Sequence, residues 1–425
     1  MGSLVDGRSA IGLGVAAALL AGCSGSQAAI GTPGAIGQTS TLVEPSSSTK
    51  YHIIYSFSGG SDGASPEAGL IYVDGTLYGT TARGGASCGV STSQHDGCGT
   101  VFSVTPTGTE SVLHAFGANA DGAFPYASLL DVGGTFYGTT YGGGGPGTYH
   151  CSGTRSYYGG CGTVFSVTQS GTETVLYSFQ GFTGGGQPQA PLIAVKGTLY
   201  GTTTIGGGSD CAFRSGSCGT AFTITTAGAE KPLHYFGGGK DGASPCAGLT
   251  QVDGMLYGTT PFGGSARKGT VFSITMAGSE KVLHDFAGQD DGRSPYGGLL
   301  DVKGTLYGTT ASGGEYNHGT VFSIKPGGAE KVLHSFGNGS DGSGPRASLI
   351  DVNGKLYGTT SNGGAHTSGT VFSIALDGTE KVLYSFDGDD GSSPDADLVD
   401  VNGTLYGTTS AGGAHGLGTV FSLKS

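Results

Sequence analysis

A short motif, Leu-Tyr-Gly-Thr-Thr, returns seven times along this chain, and that regularity constrains the fold more than any other feature. Its tyrosines are Tyr78, Tyr137, Tyr200, Tyr257, Tyr307, Tyr357 and Tyr406, with Phe136 in place of leucine in the second copy. Successive spacings are 59, 63, 57, 50, 50 and 49 residues, so the later copies show the bare unit and the first three carry insertions. Periods of this length belong to solenoids, propellers and arrays.

One unit can be read between residues 346 and 386. RASLIDV, the pair Asn353-Gly354 and KLYGTTS form two β-rich runs joined by a two-residue turn. Asn-Gly at such a place is a strong hairpin signal, because both turn residues need positive φ. Equivalent turns are Asp74-Gly75, Gly133-Gly134, Lys196-Gly197, Asp253-Gly254, Lys303-Gly304 and Asn402-Gly403. GTVFSI and, after a turn at Gly378, EKVLYSF supply two further runs. Four short strands per unit with no helical period describe a propeller blade.

The two ends complete the pattern. The first unit opens with a fourth-strand sequence, YHIIYSF at 51–57, and the last stops after a third-strand sequence, GTVFSL at 418–423. Paired side by side they make one blade, which predicts an all-β, seven-bladed β-propeller of four antiparallel strands per blade, closed by the N-terminal strand pairing with the C-terminal one. Closure removes a sheet edge that would otherwise template aggregation. The succession GTVFSI, EKVLHSF, a DG-x-x-P loop and LYGTTS resembles the GloVer (Gloeo/Verruco) tandem repeat over about residues 51–425. That resemblance implies a bacterial, often surface-attached, propeller-like protein, and it carries no established activity and no catalytic residues. The insertions of the first three copies depart from it.

Composition fits short strands and tight turns: 88 glycines in 425 residues and 12% charged residues. Upstream of the repeats, residues 1–22 read as a lipoprotein signal peptide. Ile11 to Leu20 is too short to span a bilayer, and Leu20-Ala21-Gly22-Cys23 looks like a lipobox with Cys23 as the lipidated residue. An ordinary secretory signal with an incidental cysteine is the alternative. Residues 23–49, rich in Ser, Gly, Thr and Pro, read as a tether, and 50–425 as the propeller. The expected location is therefore exported, as an outer-membrane lipoprotein facing the periplasm or the cell surface, touching the membrane through its anchor alone.

Six cysteines fall in local pairs that bracket the insertions: Cys88 with Cys98, Cys151 with Cys161, and Cys211 with Cys218. Disulfides are the expected reading in an oxidising compartment; a zinc site would want closer spacing. Cys246 is left over and reads as a small buried thiol.

In an up-and-down blade the insertions and the DG-x-x-P loops share one face, and the other face carries tight turns. Residues repeated in every blade serve the scaffold. The LYGTT tyrosine and the VFS and LHSF phenylalanines read as core. Asp62, Asp121, Asp241, Asp291, Asp341 and Asp390 read as turn-forming, with calcium as the alternative, and Glu110, Glu230, Glu280 and Glu330 as solvated charges in exposed hairpins. The position after each loop proline behaves differently: Glu67, Tyr126, Gln189, Cys246, Tyr296, Arg346 and Asp395. This variable position is expected to line the rim of the central channel and to offer ligand-binding side chains, unless it merely faces water. The insertions add His95, Asp96, Tyr149, His150, Arg155, Tyr157, Tyr158, Asp210, Phe213 and Arg214, in which exposed Tyr and Arg are residue types favoured at binding hot spots.

No nucleophile with an orienting base, no metal trio and no phosphate loop stands out. His318, His366 and His415 occupy corresponding short loops and read as surface residues, and a carboxylate pair such as Glu67 with Asp395, adjacent across the closure seam, is a conceivable glycosidase arrangement. A net charge of −12 with no basic run argues against nucleic acid. The reading is a monomeric binding or interaction module for a glycan or protein ligand, with no cofactor and no metal. A carbohydrate-active lyase or hydrolase with its acid and base at the channel mouth, and a purely structural surface protein, are the alternatives.

Overall fold

A computed structural model describes residues 50–86, 97–117, 120–145, 150–151, 154–155, 160–207, 211, 218–337 and 340–425. Seven four-stranded antiparallel sheets account for the repeats, and the expected propeller is what forms. Blade 5 is typical: an innermost strand Leu300–Val302, then Thr305–Thr310, Thr320–Ile324 and an outer strand Glu330–Ser335. Blade 7 is built from Val399–Val401, Thr404–Thr409 and Thr419–Lys424, with Tyr51–Ser56 as its outer strand. Tyr51 registers with Leu423 and Ser56 with Thr419, so the two ends of the repeat region close the ring.

Local rules explain each element. The first turn residue has φ of 50–55° at Asp74, Lys196, Asp253, Lys303, Asn353 and Asn402, and the glycine that follows is also positive, the conformation a two-residue hairpin requires. On the second strand, the glycine of LYGTT leaves room for the neighbouring strand's aromatic ring: a Cβ on Gly258 would lie 2.5 Å from Phe272 Cζ and 3.0 Å from Leu249 Cδ2.

Seven apolar clusters sit between blades, one at each interface. At the blade 4–5 interface, Tyr257, Val271 and Phe286 of one side meet Leu299, Leu306, Phe322 and Ile324 of the other. Phe286 and Phe322 pack edge to face at 5.3 Å between centroids, the arrangement that aromatic quadrupoles favour. One core per interface is how a ring of this length stays well packed without a single large interior.

The acidic loops are structural, although their hydrogen bonds run backwards along the chain. Asp291 accepts from the amides of Ala287 and Gly288, and it meets His284 Nε2 at 3.3 Å. Asp341 does likewise with His334 at 3.1 Å. Each aspartate therefore ties the loop to the outer strand it has just left.

Candidate functional site

The loop before each innermost strand folds over the loop after the second strand of the same blade, through isolated bridges such as Ala243 with Phe262 and Arg293 with Ser312. Both loop sets thus lie on one face, as the sequence suggested. The second strand also anchors the inner rim through the first of its two threonines. In LYGTT the first threonine donates to a backbone carbonyl of the next blade at the channel: Thr259 Oγ1 to Gly297 O at 3.0 Å, Thr309 to Ala347 O at 3.0 Å, and, across the closure, Thr408 to Ala68 O at 3.0 Å. Every blade makes this bond. A repeated scaffold residue therefore fixes the backbone beside the variable position in every blade, whatever side chain stands there.

All seven variable residues converge. Glu67, Tyr126, Gln189, Cys246, Tyr296, Arg346 and Asp395 line one cup at the channel mouth. Glu67, Gln189, Cys246 and Asp395 are buried, and Tyr126, Tyr296 and Arg346 are half-buried. These are not residues that simply face water. Two positions further along the chain, Gly69, Ser128, Gly298, Ser348 and Asp397 line the same cup. The Gly298 amide donates to Ser348 Oγ at 3.0 Å, the Ser348 amide donates to Asp397 Oδ1 at 2.6 Å, and a Cβ on Gly69 would lie 3.0 Å from both Asp397 O and Ser128 Oγ. The remaining space is about 70 Å³.

The cup has an uneven electrostatic character. Arg346 lies over the Tyr296 ring, its guanidinium carbon 5.2 Å from the centroid, a cation–π placement. Asp395 accepts hydrogen bonds from the hydroxyls of Ser361 and Ser410. Burial pushes its carboxyl up to about 6, against the pull of Arg346 and the two serines. Burial likewise raises Asp397, opposed by Ser348. Tyr126 meets Tyr141 edge to face at 5.6 Å, which fixes one aromatic wall. The set can hold a polar or charged group by hydrogen bonds and stack its flank on tyrosine.

Other expected site residues fare differently. Arg155 falls on a two-residue strand, Thr154–Arg155, paired with His150–Cys151. His95, Asp96, Tyr149, Tyr157, Tyr158, Asp210, Phe213 and Arg214 lie outside the described residues, as do Cys23, Cys88 and both N-terminal segments. His318, His366 and His415 are exposed. The disulfides Cys151–Cys161 and Cys211–Cys218 are formed, each with its Cα atoms 5.5 Å apart, and Cys98 is disulfide-bonded too.

Two expectations are corrected. Cys246 is not a thiol but is disulfide-bonded; pairing cysteines by proximity in sequence leaves it no partner, and disulfides need proximity in space only. The repeated glutamates are not fully solvated. Glu110, Glu173, Glu230, Glu280, Glu330 and Glu380 are half-buried, and Oε1 of each is inaccessible and lacks a hydrogen-bond partner. Sequence reading also missed a space of about 880 Å³ on the tight-turn side between blades 3 and 4, walled by Ile193, Val195, Tyr200, Leu249 and Met276. It borrows the edge of the repeated core, and Lys196 is its one charged lining residue.

Comparison with known proteins places the repeats. The family described as Gloeobacter/Verrucomicrobia repeat matches residues 32–213 and 212–421. The chain belongs to that family. No curated protein matches it in sequence. A puromycin-hydrolysing peptidase from Mycobacterium tuberculosis superposes with a TM-score of 0.50 at 10% identity, over 86% of this chain and 53% of that one. This repeat protein thus spans about half the length of the peptidase. A putative 6-phosphogluconolactonase from Bacteroides uniformis ATCC 8492 gives a TM-score of 0.45 at 15% identity, over 74% of this chain and 83% of that one. At such identities the likeness is one of fold.

Proposed function

We propose that this protein is a binding or interaction module for a glycan or protein ligand, with the channel mouth as its anchor point on the loop-rich face. One observation carries the reading: at seven positions with equivalent backbone, side chains of six different types converge on a single cup. Packing alone asks for similar residues at similar places, so the variety calls for a local reason. The cup's 70 Å³ is far below the several hundred Å³ of pockets that enclose a small molecule. The ligand would therefore offer a protruding polar group to the cup and rest its bulk on the rim and the insertions.

The test is a glycan and protein array screen with the full mature chain, followed by Tyr126→Ala and Arg346→Ala. Binding should fall at least about tenfold in each, as for hot-spot residues, with little change in thermal stability. Undiminished binding in both would move recognition off the channel mouth, and a further chain with the three insertions trimmed would show whether they carry it.

A second reading has one observation in its favour. A carboxyl held near 6 beside Glu67 suits general acid–base work, the arrangement of a carbohydrate-active enzyme. Turnover of a polysaccharide that disappears in Asp395→Asn would favour it over binding alone.

The disulfides support an exported protein, and we extend the proposal to a lipid anchor at Cys23, which requires that Cys246 be bonded to a cysteine other than Cys23. Cys23→Ser should then release the protein from the membrane fraction; a variant that still sediments with membranes rules the anchor out.

A further inference from the structure

The six repeated glutamates open the outer strands of blades 1 to 6, and each reaches the preceding blade. The turn leading into each leans on that blade's outer strand: a Cβ on Gly278 would lie 2.3 Å from Leu233 O, and one on Gly171 2.4 Å from Leu113 O. Glu280 faces His234 and Asp241, and Glu173 faces His114 and Asp121, imidazole–carboxylate pairs separated by 3.5 and 3.3 Å. Glu110, Glu330 and Glu380 face Asp62, Asp291 and Asp341, and Glu230 faces the Tyr177 hydroxyl. The lysine next in sequence, as in Lys281 and Lys331, is exposed and alternates to the other side of the strand. An ionised glutamate would here bring a half-buried charge toward another carboxylate, with one oxygen lacking any donor, an arrangement that costs free energy.

We propose that the perimeter of the ring is a pH-responsive clasp, in which neutral glutamates hold neighbouring blades together in mildly acid solution and their ionisation loosens those contacts. Burial first, and neighbouring aspartates second, push Glu110, Glu330 and Glu380 from 4.5 up to about 7. Glu173 and Glu280 also reach about 7, with burial opposed by the nearby histidine. A carboxyl raised by folding stabilises the folded state fully below its unfolded value of 4.5, and that contribution decays as pH rises to about 7. The acid limb has the opposite sign. Hydrogen bonds from His114 and Gly117 overcome the burial of Asp121 and hold it below 3.8, so its contribution is lost as pH falls through the folded value. At the closure seam Tyr51 takes the place of the glutamate, and burial raises the Asp390 carboxyl beside it. The Tyr51 ring stacks on Tyr384 at 4.0 Å between centroids, and its hydroxyl donates to Asp390 O at 2.8 Å.

The experiment is thermal unfolding of the full chain at pH 5 and pH 8, at constant ionic strength, for the wild type, for the double variant Glu280→Gln/Glu330→Gln and for Glu315→Gln. Glu315 is exposed, so its variant controls for net charge. The wild type should have the lower Tm at pH 8. The double variant should match it at pH 5 and exceed it by about 2 °C or more at pH 8, on the scale of about 1 kcal/mol of stabilisation. Glu315→Gln should follow the wild type. A wild-type Tm that is flat or rises with pH, or a double variant that shifts no more than the control, overturns the clasp. Should the double variant not fold, amide exchange on the wild type decides. Faster opening at 278–284 and 328–334 than at 51–56 as pH rises supports the clasp, and uniform opening overturns it.

Discussion

The inner and outer ends of each blade use repetition in opposite ways. At the perimeter, six blades place the same glutamate and the same turn glycine against the preceding blade. At the channel mouth, seven blades place side chains of six types on a backbone held by the same threonine bond. The perimeter must solve one problem, interblade contact, once per blade, and a single solution serves. The mouth is one place shared by all blades, so each blade can contribute a different group to a common surface. Repetition therefore marks what the ring needs to exist, and departure from repetition marks the place that calls for a local reason.

The largest effect should come from breaking a perimeter contact. Gly278 has φ +92°, and its Cβ would meet a backbone oxygen at 2.3 Å. Gly254 has φ +81° with nothing within 4 Å. Both substitutions to alanine incur the left-handed cost of about 1–2 kcal/mol. Only Gly278→Ala adds a collision with the neighbouring blade, about 1–3 kcal/mol more. Denaturant unfolding of the two variants should separate them by that increment, and equal losses would mean the turn does not brace the preceding blade. Neither substitution touches the mouth, so ligand binding by the folded fraction should be unchanged.

Much of this was readable from the chain. Blade count, strand order, hairpin turns and closure follow from periods, two-residue turns and the two part-blades at 51–57 and 418–423. The mouth ring was readable because Glu67, Tyr126, Gln189, Cys246, Tyr296, Arg346 and Asp395 break an otherwise regular stretch. The burial of Glu280 was not, since the group that covers it, the outer strand containing Leu233 and His234, belongs to the previous repeat. A glutamate beginning a strand after a tight turn looks solvent-facing when only its own blade is considered. The bonding of Cys246 was hidden for the same reason: it depends on distance in space and leaves no local spacing. The backbone just before each loop proline was also hidden, because no residue type announces it.

That last position offers the smallest and most discriminating test. The residue before the loop proline has positive φ in every blade: Ser65, Phe124, Gln187, Ser244, Ser294 and Ser393 at 52–59°, and Gly344 at 66°. Only one of the seven is glycine, the residue that adopts this conformation without strain. In each case the amide is committed to the loop of the preceding blade, as in Ser294 to Lys268 O at 2.8 Å, and two residues later comes the mouth side chain. Strain held beside a binding surface is a recurrent feature of sites that must be rigid. Ser294→Gly should relieve the Cβ strain of about 1–2 kcal/mol while giving the unfolded chain more freedom, about 0.4–1 kcal/mol in the other direction. The net expectation is a gain in stability of about 0.5 kcal/mol, read as a small rise in denaturant midpoint. If the strain serves the mouth, the same variant should hold Tyr296 less firmly and bind its ligand more weakly despite being more stable. A variant that gains both stability and affinity would place this strain among the costs of ring closure and remove it from the working face.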